Sequence, residues 1–250
     1  MTGRLENKVA IITGAASGFG EGMARRFAEE GAKVVVADLN AMGAERVASE
    51  IGGSAIGIGT DVTVRAEIDE LVYAAMQAFG RVDIMVNNAG FTHRSGSLTD
   101  VDEETFDLIA DVNMKAVYFS TLAVVPIMER QGGGSIITTA STSGIRPQAG
   151  LTWYNASKGW AITATKSMAL ELAPKKIRVN CLCPVSGDTP MLARFMGGDT
   201  PEIRAEIRAA IPLGRLSTPL DVANAALWLA SDEAAFITGV ALEVDGGFDI

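Results

Sequence analysis

Tyr154 and Lys158 stand four positions apart in a stretch that reads as helix, so the two side chains share one face. A phenol with a free pKa of about 10 stays protonated at neutral pH and relays a proton best when its pKa lies nearer 7. Moving it that far takes about 4 kcal/mol, the Coulomb energy of one cation about 4 Å away at an effective dielectric near 20. Lys158 and a positively charged nicotinamide together can supply it. Alone, the pair also reads as two surface side chains. Ser141 ends the preceding strand, where its hydroxyl can hold a substrate oxygen beside Tyr154 or simply close the strand. Asn113 sits inside an apolar helical run, 112–119. A buried amide needs partners. Ordering a water chain to Lys158 would provide them, and a helix kink is the plainer alternative.

A second group of residues suits a dinucleotide. Thr13-Gly-Ala-Ala-Ser-Gly-Phe-Gly20 follows one strand and opens one helix. Gly14, Gly18 and Gly20 let the main chain approach a pyrophosphate, and the helix start offers unpaired N–H groups and partial positive charge. A plain glycine-rich turn is the alternative, which the strand-before and helix-after context disfavours. Asp38 ends the next strand, 18 positions after Gly20. Its carboxylate can accept both ribose hydroxyl hydrogens and repels a 2′-phosphate; a turn or capping Asp is the other reading. Leu39 and Asn40 follow it, and Ser17 precedes the middle glycine, so no Arg or Lys adjoins Asp38 in sequence. NAD(H) is therefore the expected cofactor.

These residues need elements to hold them. Strands are expected at 9–13, 33–38, 55–60, 82–87, 135–139, 177–183 and 241–244. Helices are expected at 20–30 with Gly31 as its C-cap, at 42–51, 65–79, 102–129, 154–172 and 201–210, and from Pro219 behind the cap Thr218. Val/Ile/Ala runs without polar alternation suit parallel strands covered on both faces. Their alternation with helices predicts an α/β fold: one doubly wound Rossmann-type parallel sheet of about seven strands. No linker or repeat divides the chain, so 1–250 reads as one domain. The least regular stretch, Pro184 to Thr200 with Gly187, Pro190, Gly197 and Gly198, lies beyond a strand's carboxyl end, where such sheets bind ligands. A substrate lid over about 184–212 is expected there.

In chain order these features resemble the short-chain dehydrogenase/reductase family over essentially the whole length. The matches are Thr13-Gly14-xxx-Gly18-x-Gly20, Asp61-Val62, Asn87-Asn88-Ala89-Gly90, Asn113, Ser141, Tyr154-xxx-Lys158 and Pro184-xxxx-Thr189. The resemblance implies that Asp61 and Val62 border the adenine, that Asn88, Ala89 and Gly90 line the cofactor, and that Thr189 reaches the nicotinamide carboxamide. With Ser17, Phe19, Leu39, Pro184, Val185 and Gly187 these form the expected cofactor wall. It implies that Ser141 places the reacting oxygen, Tyr154 exchanges its proton, Lys158 lowers the Tyr154 pKa and holds the ribose, and Asn113 keeps the relay wet. Where the family often has glycine after the proline this chain has Val185, which keeps an N–H for the carboxamide and narrows the pocket. The implied activity is hydride transfer between NAD(H) and a secondary alcohol or ketone of small size. Ile145, Leu151, Trp153, Val185, Met191 and Phe195 are the expected substrate lining.

Composition narrows the rest. The 250 residues are 48% hydrophobic and 20% charged, with net charge −9. Such a surface repels nucleic acid and anionic lipid, and an acidic acyl carrier protein as well. A ketoacyl-thioester reductase is therefore the lesser alternative, with a non-catalytic NAD-binding protein as the alternative of another class. Arg94 and Arg146 follow the cofactor and catalytic strands and read either as anchors for a small carboxylate or as surface charges. Cys181 and Cys183 read as two buried thiols, and with His93 the only histidine no metal site is expected. No Gly-x-Ser-x-Gly elbow marks a hydrolase. No apolar run approaches the roughly 20 residues of a membrane span, and Met1 to Lys8 carries no signal-peptide core. A cytoplasmic homotetramer without membrane or nucleic-acid partners is expected.

Overall fold

The short Val/Ile/Ala runs read as strands do form strands, because helices cover the sheet from both sides. The computed structural model describes residues 3–196 and 198–250, without the side chains of Arg194 and Met196. Met1, Thr2 and Gly197 lie outside the described residues. The strands are β1 (Val9–Thr13), β2 (Lys33–Asp38), β3 (Ala55–Gly59), β4 (Ile84–Asn87), β5 (Gly134–Thr139), β6 (Ile177–Pro184) and β7 (Ala241–Val244). They form one sheet in the order β3-β2-β1-β4-β5-β6-β7, every pair parallel.

The helices among the described residues are α1 (Gly18–Glu29), α2 (Ala41–Ile51), α3 (Arg65–Phe79), α4 (Glu103–Ala110), α5 (Ala116–Gln131), α6 (Thr152–Leu172), α7 (Leu192–Met196), α8 (Pro201–Ala210) and α9 (Pro219–Ala230). In β1, Ala10 and Ile12 pack with Met23 and Phe27 of α1 and Val222 of α9. Ile11 points the other way, toward Leu71 of α3 and Val124 and Met128 of α5. Both faces are buried, so neither needs polar residues. Strand order reverses between β1 and β4, and the crevice beyond their carboxyl ends is where a doubly wound sheet takes its ligand.

Several sequence expectations are corrected. The C-cap of α1 is Glu30, with Gly31 following it at φ +91°. α7 falls in a stretch read as irregular. The helix expected over 102–129 contains a π turn, Asp111–Lys115, that carries Asn113. Asp102 caps its start by accepting from the Thr105 N–H at 2.8 Å, as expected. The continuous helical run Glu103–Gln131 is also long and apolar enough, by length and composition, to cross a membrane, contrary to the reading that no stretch is. Its apolarity is divided: Val124 and Met128 bury on the sheet, while Tyr118 and Leu122 face outward.

Candidate active site

The carboxyl ends of β1, β4 and β5 are tied by two side chains. Thr13 Oγ1 accepts the N–H groups of Asn88 and Ala89, each at 3.1 Å. The Asn88 amide donates to the carbonyls of Thr13 (3.0 Å) and Gly14 (3.1 Å) and accepts from Thr139 Oγ1 (3.1 Å). Between them the chain leaves Gly14 at φ +63°, where a Cβ would stand 2.8 Å from Ala89 Cα. Only glycine fits that turn. Gly20 serves packing instead. A Cβ there would lie 2.1 Å from the Gly14 carbonyl oxygen, and Gly20 is not among the residues of the cavity wall. Ser17, the N-cap of α1, makes no side-chain capping bond, so the start of α1 beside the crevice is left without a side-chain cap. A pyrophosphate fits that cradle.

Asp38 sits at the lip of this cradle. Its Oδ2 accepts from Ala16 N and its Oδ1 from Asn40 N, each at 2.9 Å. Each oxygen keeps a lone pair for a ribose hydroxyl. Asp61 is fixed in the same way, accepting the N–H (2.9 Å) and hydroxyl (2.7 Å) of Thr63. One cation comes near that its sequence position concealed. Arg46 of α2 donates from Nη2 to the Ala16 carbonyl at 3.0 Å, and Ala16 is the residue whose N–H Asp38 accepts.

At the other end of the cavity Tyr154 and Lys158, one helical turn apart on α6, are both almost wholly buried. Lys158 Nζ donates to the Thr139 carbonyl at 2.7 Å and lies 5.7 Å from the centre of the Tyr154 ring. Burial pushes the Tyr154 phenol up to about 12, against a hydrogen bond with Ser141 that pulls it down. Burial likewise brings Lys158 down to about 8, opposed by Cys183 and Cys181 beneath it. In the protein alone the net shift of Tyr154 is upward: burial outweighs the Ser141 hydrogen bond and holds the phenol protonated, and Lys158 is not among the groups that lower it, contrary to the expectation.

Asn113 stands behind this site rather than in its wall. Its Oδ1 accepts from Phe91 N, and its Nδ2 donates to the Phe91 carbonyl and to Ser157 Oγ, all at 2.9 Å. Ser157 in turn donates to the Tyr154 carbonyl at 2.7 Å. The π turn thus clamps the segment after Asn88-Ala89-Gly90 to the helix that bears Tyr154. π turns recur at functional sites for such reasons. Gly90 lies between the two polar groups: a Cβ there would be 3.6 Å from Lys158 Nζ and 3.7 Å from Asn113 Oδ1.

One cavity of about 690 Å³ joins both ends. Its wall includes Gly14, Ser17, Gly18, Phe19, Asp38, Leu39, Asp61, Val62, Asn88, Ala89, Gly90, Ser141, Tyr154, Lys158, Pro184, Val185, Gly187 and Thr189. Gly187 is glycine because Phe19 packs on it; a Cβ would lie 2.3 Å from the ring. The Val185 N–H, expected to be available, donates to the Val244 carbonyl at 3.3 Å and continues the β6–β7 pairing. Of the expected substrate lining, Val185, Met191 and Phe195 are in the wall; Ile145, Leu151 and Trp153 are not. Trp153 instead packs edge-on against Phe106 and donates to the Leu98 carbonyl at 3.3 Å. The wall gains Thr92, Leu108, Val112, Thr142, Ser143 and Gln148, which no motif marked. Phe195 of α7 meets the Tyr154 ring edge-on, centroids 5.6 Å apart. Arg94 and Arg146 are outside the wall, and Arg146 donates to the Phe248 carbonyl at 3.0 Å.

A family model described as enoyl-(acyl carrier protein) reductase matches residues 14–249. The chain is 49% identical over 250 residues to a 4-formylbenzenesulfonate dehydrogenase of Comamonas testosteroni, covering 98% of this chain and 99% of that one. It is 41% identical to a 2,5-dichloro-2,5-cyclohexadiene-1,4-diol dehydrogenase of Sphingobium indicum, covering 100% and 99%. Among solved structures, a 3-ketoacyl-(acyl-carrier-protein) reductase from Brucella melitensis complexed with NADH superposes with a TM-score of 0.94 at 50% identity, covering 98% of this chain and 100% of that one.

Proposed function

The chain belongs to the short-chain dehydrogenase/reductase family, and from that premise we propose that it transfers a hydride between NAD(H) and a small secondary alcohol or its ketone. The observation that carries this is the convergence of Ser141, Tyr154 and Lys158 on one wall of a cavity whose far wall is the Gly14–Gly18 cradle and Asp38. Bound there, the nicotinamide would supply the hydride in reduction and accept it in oxidation. Ser141 holds the substrate oxygen, and the Tyr154 phenol gives it a proton in reduction or takes one in oxidation. The raised pKa suits the donor role directly. For oxidation the phenol must be brought down, which needs positive charge beyond Lys158. Asn113 acts through Phe91 and Ser157, fixing the position of Tyr154. The proposed substrate lid is made of the described residues of 184–212, and Thr189 stands over the cradle, where a Cβ on Gly18 would touch it at 3.3 Å.

Among the described residues the substrate half carries no arginine, and its side chains mix hydroxyls and an amide with Leu108, Val112, Met191 and Phe195. That favours a neutral, partly apolar alcohol or ketone with further hydroxyl groups. A ketoacyl thioester is the second reading, favoured by the Brucella relative; the net charge of −9 opposes an acidic carrier. The outward apolar residues of α4, α5 and α6, including Phe106, Tyr118, Leu122 and Leu170, support a homotetramer, and a cytoplasmic location remains the proposal from sequence. The test is a panel of free alcohols and ketones, with a ketoacyl group on carrier protein beside them, read at the nicotinamide absorbance. Turnover of free substrates with NAD(H) supports the reading. Activity only on the carrier-bound form would overturn the substrate class, and none at all would overturn the activity. A monomeric mass by light scattering at micromolar concentration would overturn the assembly.

A further inference from the structure

Ala16 links Asp38 to a second charged group. Its N–H donates to Asp38 Oδ2 at 2.9 Å, and its carbonyl accepts from Arg46 Nη2 at 3.0 Å. Carboxylate and guanidinium therefore flank a single residue of the glycine loop. Gly43 brings them together: α2 runs so close to the loop that a Cβ on Gly43 would stand 2.8 Å from Ala16 Cβ, and Arg46 follows one turn later on the same side. The guanidinium is occupied. Nη2 donates to Glu21 Oε2 at 3.1 Å, and Nη1 to Glu21 Oε1 at 3.3 Å and Glu50 Oε2 at 3.1 Å. Arg25 shares the same two carboxylates, at 2.6 Å from Glu21 and in contact with Glu50. Two carboxylates thus neutralise two arginines and use both ends of the Arg46 fork. A planar guanidinium binds a phosphate through that same pair of terminal nitrogens, and both are already engaged.

We propose that Arg46 is a masked phosphate ligand, and that Glu21 and Glu50, not Asp38 alone, make this site reject a dinucleotide carrying a 2′-phosphate. The inference rests on the proposal that the adenosine ribose lies at Asp38. Removing the Asp38 charge relieves repulsion but adds no attraction, because the neighbouring cation is already paired. Neutralising Glu21 and Glu50 as well frees a fork one residue from the ribose site. All four side chains of the network are partly exposed, so their removal perturbs the fold little, and salt must weaken the effect.

The experiment titrates NADH and NADPH into the full chain without substrate and reads nucleotide fluorescence. Asp38→Asn should tighten NADPH a few-fold at most. Asp38→Asn with Glu21→Gln and Glu50→Gln should tighten it a further tenfold or more, and adding Arg46→Gln should abolish that further gain. A triple variant that binds NADPH no better than Asp38→Asn overturns the proposal. So does a quadruple variant that keeps the gain, which would assign it to Arg25 or to net charge. Should the triple variant not fold, Asp38→Asn with Glu50→Gln must show a smaller, Arg46-dependent gain, and its absence overturns the proposal equally. A wild-type chain that binds NADH leaves the cofactor reading standing whatever these variants do; one that binds neither dinucleotide ends both.

Discussion

The two ends of the cavity hold their charged groups in opposite ways. At the cradle, Asp38 and Asp61 are partly exposed and accept main-chain N–H groups of Ala16, Asn40 and Thr63. Their negative charge is compensated where it stands, and the backbone around them is set by the bonds of Thr13 and Asn88. At the chemical end, Tyr154 and Lys158 lie almost fully out of water, with one carbonyl and one hydroxyl as the partners found for their polar atoms. Both pKa values are displaced toward the neutral form. The binding end is a backbone cradle whose two carboxylates, unlike its glycines, can be replaced without disturbing the fold. The chemical end stores unfavourable desolvation for use in a reaction, and stability and activity oppose each other there.

The largest effect that separates the two ends is expected for Tyr154→Phe. Loss of the proton donor should lower turnover by about a hundredfold or more, with NADH binding by fluorescence unchanged. Near-normal turnover would remove the distinction between the ends altogether. Lys158→Met comes next. Turnover should fall by about tenfold or more, yet the protein should become more stable at pH 7. A lysine displaced from 10.5 to about 8 costs the fold about 3 kcal/mol when charged, and the Thr139 carbonyl left without its donor returns about 1 kcal/mol of that. The melting temperature should therefore rise by a few degrees.

The pH dependence of this gain has a definite sign. Below pH 8 lysine is protonated in both states and the full cost of the buried charge is present. Between about 8 and 10.5 the unfolded chain binds more protons than the folded one, so wild-type stability rises with pH and the advantage of the variant disappears. Above the ordinary tyrosine value of 10.0 the sign reverses. The Tyr154 pKa of about 12 means that stability is lost as pH climbs toward it. Thermal melts of both proteins from pH 7 to 9.5 check this, and a constant difference across that range would contradict the burial of the lysine charge.

The smallest effect is expected at the cradle. Asp38→Ala should weaken NADH binding about three- to tenfold and narrow the preference over NADPH, while leaving turnover at saturating cofactor close to normal. The Ala16 and Asn40 N–H groups can turn to water in its absence because the site is open. A collapse of turnover at saturation would show that the two ends are coupled more tightly than their separate bonding suggests.

Much of this was legible in the residues. Boundaries of β2, α3, α8 and β7 coincide with those read from apolar periodicity and caps, and Gly14, Gly18, Asp38, Ser141, Tyr154 and Lys158, singled out together through the family resemblance, line one cavity. These features are local: a Gly at φ +63°, a strand run or an i,i+4 pair is decided within a few residues of itself. What lay beyond reach depends on residues far apart in the chain. Nothing near Asn113 announces a π turn clamped onto Phe91 and Ser157, or near Val185 that its N–H belongs to Val244. Arg46 is thirty positions from Ala16 and reaches it only because α2 packs on the loop. The direction of the Tyr154 pKa is the clearest case. From sequence, one lysine four residues away pointed downward. In the folded chain the phenol is shifted upward, because desolvation sums over every element packed around it and only the tertiary structure performs that sum.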